Sequence, residues 1–445
     1  YNLGDLRSER WVSWAGWRPK GSRGKASVAK ERIVVGIDAG TTKVTTLIAE
    51  VSRNGSVHVI GVGVAPSRGL RKGVVVNIEE TVESIAASVD KAERLSGYKV
   101  VSAYVGIAGA HVTSLNNRGV VAVSHPDRTI TADAAERAID AARVINVPSN
   151  REILHAIPRH FIVDGQEGVR NPVAMLGYRL DVEAHIVTGA VTAIQNLTKC
   201  FHRIGIDVDQ IVLEPLAASE AVLTDEEKDM GVALVDIGGG TTEVAIFVEE
   251  SVWHTGVLSV GGNHITNDIA VRLRAPFAEA DELKIKHGHA LTRDVETDEM
   301  VDVTTFGRNQ VDSVPRVQIC EVAEARLQET FMLVESEIKR SGYDGLLPAG
   351  VVLVGGTAQM SGIIDLASDV LQLPVRQGLP RGIHGLVDSV SGPAYATSVG
   401  LVLWGARFGE RAVDMRPVAS RTERYAVDPR RVSGRFKGWL RAILP

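Results

Sequence analysis

The sequence has very little cysteine: only Cys200 and Cys320 occur among 445 residues, and they form no CxxC pair. This scarcity excludes a zinc site built from cysteines and favours a reducing compartment. No uninterrupted apolar run reaches the roughly 18–20 residues that a membrane-spanning helix needs. The opening segment also lacks the apolar core of a secretory signal peptide, so the sequence does not favour secretion.

The overall composition is that of an ordinary globular chain. Hydrophobic residues make up 44% of the sequence and charged residues 23%. These values exclude a collagen-like, fibrous or wholly disordered protein. A chain of this length predicts about three domains or subdomains and a core large enough to fold without disulfides.

The net charge of −5 is unevenly distributed. Residues 1–32 hold eight basic and three acidic side chains, and residues 406–445 hold ten basic and four acidic ones, so the body between them is acidic. Basic ends on an acidic body indicate an anionic surface that the termini touch, and solvated tails are the alternative interpretation. No nucleic-acid-binding module is visible, so we expect no nucleic-acid partner.

Two terminal segments lack the periodicity of helices or strands. Residues 1–31 predict a basic, disordered extension, although Trp11, Trp14 and Trp17 would share one face of a short membrane-contacting or packing helix. Residues 406–433, rich in Arg, Pro and Ser, predict a flexible linker.

One pattern of apolar strand, Asp, Gly/Thr turn and apolar strand occurs twice. VVGIDAGTTKVTTLIAEV begins at Val34, and VALVDIGGGTTEVAIFVEE begins at Val232. Each copy predicts a β-hairpin. A single duplication over such a distance indicates two related lobes rather than a short-period solenoid. With helical segments between the strands, the pattern predicts an α/β fold.

Both turns carry residue types that bind phosphate. A glycine turn exposes consecutive backbone N–H groups, and the absence of Cβ atoms lets a phosphate approach them. An Asp at the end of each preceding strand can hold a hydrated Mg²⁺ between two turns that face each other across a cleft. The candidate residues are Asp38, Gly40, Thr41, Thr42 and Lys43 in the first copy, and Asp236, Gly238, Gly239, Gly240, Thr241 and Thr242 in the second.

A third glycine turn, Gly355-Gly356-Thr357, ends the apolar strand VVLV and opens a helix. In that setting the backbone can pass close to an α-phosphate and adenosine. Two Asp turns followed by a strand–Gly-Gly–helix turn resemble the actin-like ATPase superfamily of actin, DnaK-type chaperones and sugar kinases. The resemblance implies two related lobes around a cleft that binds ATP and Mg²⁺.

Glu214 stands in the segment LEPLAASE, just before the second Asp turn. This segment resembles the EP-x-A-A segment of actin-like filament proteins such as MreB, in which the Glu orients the water that attacks the γ-phosphate. The resemblance implies that role for Glu214, beside Asp38 and Asp236, in at most a slow Mg-dependent ATPase. The alternative is a carboxylate stabilised by a helix N-terminus.

Within that superfamily the layout resembles the FtsA family of bacterial cell-division proteins. The stretches that carry this resemblance are GVVVNIEETVESI, NPVAMLG, VALVDIGGGTTEVAIF, LKIKHGHA and VVLVGGTAQM. The family has a small SHS2-like insertion, subdomain IC, in place of actin's IB. The resemblance covers 32–405 and the last helix, and implies subdomain IA at 32–97 and 173–206, IC at 98–172, IIA at 207–259 and 345–405, and IIB at 260–344.

The resemblance also implies further site residues. Asp281 and Lys284 would lie near the ribose or adenine, although an i,i+3 surface pair has the same spacing. Gly261 and Gly262 would pass under the nucleotide or form a tight turn. Arg326 would bind the C-terminal tail of the tubulin-like protein FtsZ, or be one of many solvated helix charges.

Residues 434–445, GRFKGWLRAILP, predict an amphipathic helix. The apolar residues recur at i, i+3, i+4, i+7 and i+8, which places Phe436, Trp439, Leu440, Ile443 and Leu444 on one face, flanked by Arg435, Lys437 and Arg441. Such a helix is only about 18 Å long and suits the interface of an anionic membrane rather than a span. Packing against the body is the alternative, which the long linker disfavours.

The function implied by the resemblance is an ATP-binding protein that self-assembles and tethers FtsZ filaments to the cytoplasmic face of the cell membrane at the division site. Later division proteins would bind through the 98–172 insertion. A soluble actin-fold phosphotransferase or phosphatase, and an actin-like adaptor for pili or cell shape, are the alternatives. The insertion and the terminal helix favour the cell-division function.

Overall fold

The computed structural model describes residues 32–306 and 311–409. The predicted extension at 1–31, the predicted helix at 434–445 and the predicted linker at 406–433, apart from its first four residues, lie outside the described residues.

The described chain contains both strands and helices in each of its parts. The strands are β1 (Arg32–Ala39), β2 (Lys43–Val51), β3 (Val57–Pro66), β4 (Leu70–Arg71), β5 (Val74–Val75), β6 (Ser102–Ile107), β7 (Thr113–Ala122), β8 (Arg151–Val163), β9 (Gln166–Val169), β10 (Arg179–Ala190), β11 (Asp207–Leu213), β12 (Val232–Ile237), β13 (Thr242–Val248), β14 (Ser251–Leu258), β15 (Met300–Thr304), β16 (Val311–Pro315), β17 (Val351–Val354), β18 (Val375–Gln377) and β19 (Ile383–Gly385). The helices are α1 (Ile78–Ser96), α2 (Ala132–Arg143), α3 (Val191–Arg203), α4 (Glu214–Val222), α5 (Asp225–Met230), α6 (Gly262–Leu273), α7 (Phe277–His287), α8 (Arg316–Ser341), α9 (Ile363–Leu371) and α10 (Ala396–Phe408).

Two sheets with matching plans form the centres of two lobes. The sheet of lobe I has the order β11-β6-β1-β2-β3-β19, and the sheet of lobe II has the order β14-β13-β12-β17-β18. In each, an antiparallel hairpin (β1–β2 or β12–β13) lies beside a parallel strand (β6 or β17). The predicted duplication and the predicted α/β class are therefore confirmed.

The insertion has its own sheet, with strand order β7-β10-β8-β9. Strand β10 pairs with β7 from Arg179 to Thr188 and with β8 from Leu180 to Ala190. The sheet therefore extends beyond the 98–172 range that the sequence predicts. The difference has a physical reason: β10 is a single long strand that begins in the insertion and ends at α3 in lobe I, so its local sequence does not show where one body gives way to the other.

Helix α1 shows how local sequence sets the boundaries of these elements. Asn77 precedes the helix and its side chain accepts a hydrogen bond from the N–H of Glu80 at 3.3 Å. Gly97 follows the helix in the left-handed region, at φ 75°, where glycine is strongly preferred. The helix therefore begins directly after Asn77 and ends directly before Gly97.

The two lobes meet where α10 crosses α4. A Cβ on Gly400 would lie 1.9 Å from the carbonyl oxygen of Ala217, so only glycine allows this close approach. Helix α10 extends to Phe408, a few residues past the predicted start of the linker. Among the described helices none combines the length and the apolar character needed to cross a lipid bilayer.

Candidate functional site

The two predicted phosphate turns are structurally equivalent hairpin loops. Asp38 pairs across its hairpin with Thr45, and Asp236 pairs with Glu243. Each loop therefore has four residues, 40–43 in the first and 238–241 in the second. The position of Glu243 in lobe II thus corresponds to that of Thr45 in lobe I.

The two turns contact each other across the cleft between the lobes. A Cβ on Gly239 would lie 2.4 Å from Cγ2 of Thr42, and one on Gly240 would lie 2.8 Å from Oγ1 of Thr41. Glycine at these two positions therefore allows the lobes to close until their turns touch.

Asp38 and Asp236 are buried at the ends of β1 and β12. Burial raises the pKa of Asp38 to about 7, with Lys43 opposing the shift and Asp236 adding to it. Burial likewise raises the pKa of Asp236 to about 6, against a hydrogen bond from Thr397 and the charge of Lys43. The Lys43 ammonium lies 3.6 Å from the centroid of the Tyr395 ring. The two acids thus share one poorly solvated region with one lysine.

Glu214 begins α4 and faces the same region. A Cβ on Gly106, in β6, would lie 3.2 Å from Cγ of Glu214, so the side chain packs directly against lobe I. Burial raises the pKa of Glu214 well above its usual range, and the charges of Asp38, Glu243 and Asp236 raise it further.

Glu243 is a fourth buried acid, which sequence reasoning missed. Only 2% of the residue is exposed, and its Oε1 atom has no hydrogen-bond partner among the described residues. Burial raises its pKa to about 8, and Asp236 contributes to the shift. When the two repeats are aligned on their Thr-Thr pairs, Glu243 falls at the position of Lys43. The strand register instead pairs Glu243 with Asp236. The hairpin register is therefore the signal that could have identified Glu243.

The third turn closes this end of the cleft. Gly355 adopts φ +91°, and a Cβ there would lie 2.4 Å from Oδ1 of Asp236. The hydroxyl of Thr357 donates a hydrogen bond to the carbonyl oxygen of Gly238 at 3.4 Å. The third turn therefore packs against the second, and its backbone faces the cleft.

Helices α6 and α7 form another part of the cleft wall, beside the third turn. Lys284 donates hydrogen bonds to Asp281 at 2.6 Å and to the hydroxyl of Thr266 at 2.8 Å. Its ammonium also lies 3.5 Å from the carbonyl oxygen of Gly262. Asp281 and Lys284 form an i,i+3 pair and also line the cleft; their contact with a ribose or adenine stays a prediction.

Together these elements enclose a cavity of about 600 Å³. The predicted residues that line it are Asp38, Gly40, Thr41, Thr42, Lys43, Glu214, Asp236, Gly238, Gly239, Thr241, Gly262, Asp281, Lys284, Gly355, Gly356 and Thr357. Three predicted residues do not line the cavity themselves but are chain neighbours of residues that do, namely Gly240, Thr242 and Gly261. Lining residues that the sequence did not reveal include Glu243, Asn263, Arg316, Gln359, Met360 and Thr397.

The donor set fits a hydrated magnesium ion. Four buried acids with raised pKa values line one cavity, and a divalent cation would offset their mutual repulsion. No cluster of three or more acidic, histidine or cysteine side chains in the described ranges could hold an ion directly. Mg²⁺ usually keeps several of its waters, so contact through water suits this spacing.

Arg326 lies on α8 and does not line the cavity, although Arg316 at the start of the same helix does. Its guanidinium contacts Asp268 on α6 at 2.6 Å and also pairs with Glu329. About a quarter of its side chain is exposed, at 26%. The structure thus joins Arg326 to two carboxylates of the same subdomain.

Comparison with solved structures identifies the fold of the chain. A chain of the "PilM-PilN type IV pilus biogenesis complex" matches with a TM-score of 0.62 and 17% identity, covering 84% of this chain and 98% of that one. MreB 5 of Spiroplasma citri bound to AMPPNP matches with a TM-score of 0.53 and 15% identity, covering 84% and 96%. With two related lobes around a glycine-lined cleft, the chain has the actin-like ATPase fold.

Comparison of sequences narrows the class to one family. The family model described as cell division protein FtsA matches residues 233–400, and the model of the SHS2 domain inserted in FtsA matches residues 109–188. Cell division protein FtsA of Pseudomonas aeruginosa is 46% identical over 380 residues, 85% of this chain and 91% of that protein. Those of Bacillus subtilis and Escherichia coli are 40% and 37% identical, covering 84% and 87% of this chain and 84% and 94% of those proteins. The chain belongs to the cell division protein FtsA family.

Proposed function

We propose that this chain is an ATP-binding, actin-like cell-division protein that self-assembles and tethers FtsZ filaments to the cytoplasmic face of the cell membrane. The observation that supports this most is a cleft lined by three glycine turns and four buried acids in a chain of the FtsA family. The MreB 5 structure, of the same fold, is described as bound to AMPPNP, an ATP analogue.

The cleft would bind MgATP through its backbone and its acids. The N–H groups of the first two turns would hold the β- and γ-phosphates, and those of the third turn the α-phosphate. Asp38 and Asp236 would hold the hydrated Mg²⁺, which neutralises phosphate charge when bound. Asp281 and Lys284, which line the cavity, would contact the ribose or adenine.

Glu214 would orient a water molecule toward the γ-phosphate. Its pKa is raised by burial and by three neighbouring acids. These surroundings favour the protonated carboxyl, which cannot accept a proton, until positive charge enters the cleft. Hydrolysis would therefore be slow at most. Nucleotide binding would then serve mainly as a switch that closes the lobes into a shape competent for polymerisation.

Contacts with other division proteins would lie on the two outer subdomains. The tail of FtsZ would bind near Arg326 on α8, where an acidic peptide could exchange with Asp268 and Glu329 as the partner of the guanidinium. Later division proteins would bind the insertion. The predicted amphipathic helix at 434–445, outside the described residues, would hold the assembly on the membrane at the division site.

Vesicle co-sedimentation with FtsZ tests this function. The full chain, with MgATP and vesicles containing anionic lipid, should pellet and carry FtsZ with it, whereas a chain ending at Ser433 should stay in solution. Trp439→Glu places a charge on the apolar face and should also abolish pelleting, while the adjacent Gly438→Glu, off that face, is the matched control. If the truncated chain pellets, residues 434–445 are not the membrane anchor. If the full chain pellets but FtsZ stays in the supernatant, the chain does not tether FtsZ to the membrane.

A further inference from the structure

The insertion contacts the edge of lobe II as well as lobe I, from which it emerges. His185 on β10 is buried, at 1% exposure, between Asn116 on β7 and Thr255 on β14. Its Nδ1 lies 2.7 Å from Oδ1 of Asn116, and its Nε2 lies 2.9 Å from Oγ1 of Thr255. The hydroxyl of Ser114 also donates to the carbonyl oxygen of Thr255 at 2.9 Å. Two hydrogen bonds thus join the insertion to one residue of lobe II.

The charge state of His185 suits this buried bridge. Burial lowers its pKa to about 3, with a smaller contribution from the positive charges of neighbouring groups. The ring is therefore neutral at physiological pH, with one nitrogen that donates and one that accepts. Donation from Nδ1 to Asn116 and acceptance at Nε2 from Thr255 satisfy the ring.

A second contact lies further back along β14. The guanidinium of Arg159, on β8, stacks 3.6 Å from the centroid of the Trp253 ring, a favourable cation–π geometry. Ser251, at the start of β14, donates a hydrogen bond to the carbonyl oxygen of Pro158 at 2.7 Å. The insertion therefore holds β14 at its start, near its middle and toward its end.

The other end of β14 leads directly into the nucleotide site. The chain continues from Leu258 to Gly261 and Gly262, and the N–H of Gly262 donates to the carbonyl oxygen of Gly238 at 2.9 Å. The carbonyl oxygen of Val260 accepts a hydrogen bond from Thr242, also in the second hairpin, at 2.8 Å. A shift of β14 would therefore displace the second phosphate turn.

We propose that β14 couples the insertion to the nucleotide site, so that nucleotide binding stabilises the docked position of the insertion and docking strengthens nucleotide binding. The insertion is anchored in lobe I, where the ring of His155 accepts a hydrogen bond from the N–H of Leu213 at 3.0 Å. Opening of the lobes would separate it from β14. Coupling between two sites is reciprocal, so a partner on the insertion would change nucleotide affinity and nucleotide would change partner affinity. This inference rests on nucleotide binding in the proposed function.

The test weakens the hydrogen bonds between the insertion and Thr255 in the full chain. It then measures nucleotide binding in the cleft and the stability of the insertion. The double variant Ser114→Ala with Thr255→Val removes both hydrogen bonds to Thr255 while keeping side-chain shape. Asn117→Ala is the matched control, because it removes a hydrogen bond of 2.8 Å from Asn117 to the carbonyl oxygen of Ala142, wholly within the insertion. MgATP affinity is measured by titration, and amide hydrogen exchange of β7 and β8 is measured with and without MgATP.

The double variant should bind MgATP roughly fivefold or more weakly and should lose the slowing of exchange that MgATP produces in β7 and β8. Asn117→Ala should retain the wild-type affinity and the MgATP-induced slowing, whatever its own stability. Unchanged affinity and unchanged slowing in the double variant would overturn the coupling. Absence of MgATP binding to the wild-type chain would instead refute the proposed function on which it rests.

Discussion

Thr397, on α10, donates a hydrogen bond to Oδ2 of Asp236 at 3.1 Å, and both side chains are buried. This contact connects the helix that packs between the lobes to the acid of the second turn. The hydrogen bond stabilises the ionised carboxylate and opposes the rise in the pKa of Asp236 that burial causes. It therefore keeps Asp236 available for a cation near neutral pH.

Substitution of Thr397 by Val should weaken the binding of MgATP. A hydrogen bond to a charged group contributes about 1.5–3 kcal/mol, so we expect roughly a tenfold loss of affinity. Titration calorimetry with MgATP measures the affinity of the variant and of the wild-type chain. Ser398→Ala is the control, since Ser398 bonds only to the carbonyl oxygen of Tyr395 among the contacts seen here; an equal loss in both variants would count against the role of Thr397.

The ligand-free protein should lose stability as the pH rises above neutrality. The folded state holds Asp38 and Glu243 at pKa values of about 7 and about 8, so it binds more protons than the unfolded chain and its stability falls as they dissociate. The window runs from about pH 7.5 to about pH 9, where histidines of ordinary pKa are mostly neutral in both states while Glu243 still titrates. Thermal unfolding across this range measures the slope.

Glu243→Gln should flatten that slope, because the amide removes one of the buried acids whose pKa is raised. Mg²⁺ with nucleotide should also flatten it, by stabilising the ionised acids. A ligand-free protein whose unfolding temperature does not change over this range would contradict the raised pKa values.

Gly239→Ala adds a methyl group to the second turn and should prevent the two turns from making contact. A Cβ at Gly239 would lie 2.4 Å from Cγ2 of Thr42, and such overpacking costs about 1–3 kcal/mol. We expect Gly239→Ala to lower MgATP affinity by roughly tenfold. At Gly392 a Cβ would meet only Oε1 of Gln359, at 3.7 Å, so Gly392→Ala should bind normally.

Sequence reasoning located the glycine turns because their chemistry is local. The hairpins, the caps of α1 and the acids at the ends of β1 and β12 all follow from residues within one short segment. Glu243 was missed because its place beside Asp236 depends on the register of the hairpin. Thr397 was missed because it reaches Asp236 from a distant helix.

Removal of the Arg326 side chain should weaken binding of the FtsZ tail. Its charge would face an acidic peptide, and charge-assisted hydrogen bonds contribute about 1.5–3 kcal/mol, so Arg326→Ala should bind a tail peptide roughly tenfold more weakly. Lys339→Ala on the same helix breaks a comparable ion pair, with Glu335 at 2.6 Å. Fluorescence anisotropy with a labelled tail peptide compares the two, and equal affinities would exclude Arg326 from the docking site.

The most direct test of the account is the equilibrium binding of ATP to the full chain in the presence and absence of Mg²⁺. We predict one nucleotide per chain, affinity that depends on Mg²⁺, and loss of that dependence in Asp236→Asn. Binding that is absent in the wild-type chain, or that is unchanged by Mg²⁺ and by the substitution, would contradict the assignment of the acid-lined cleft as a nucleotide site.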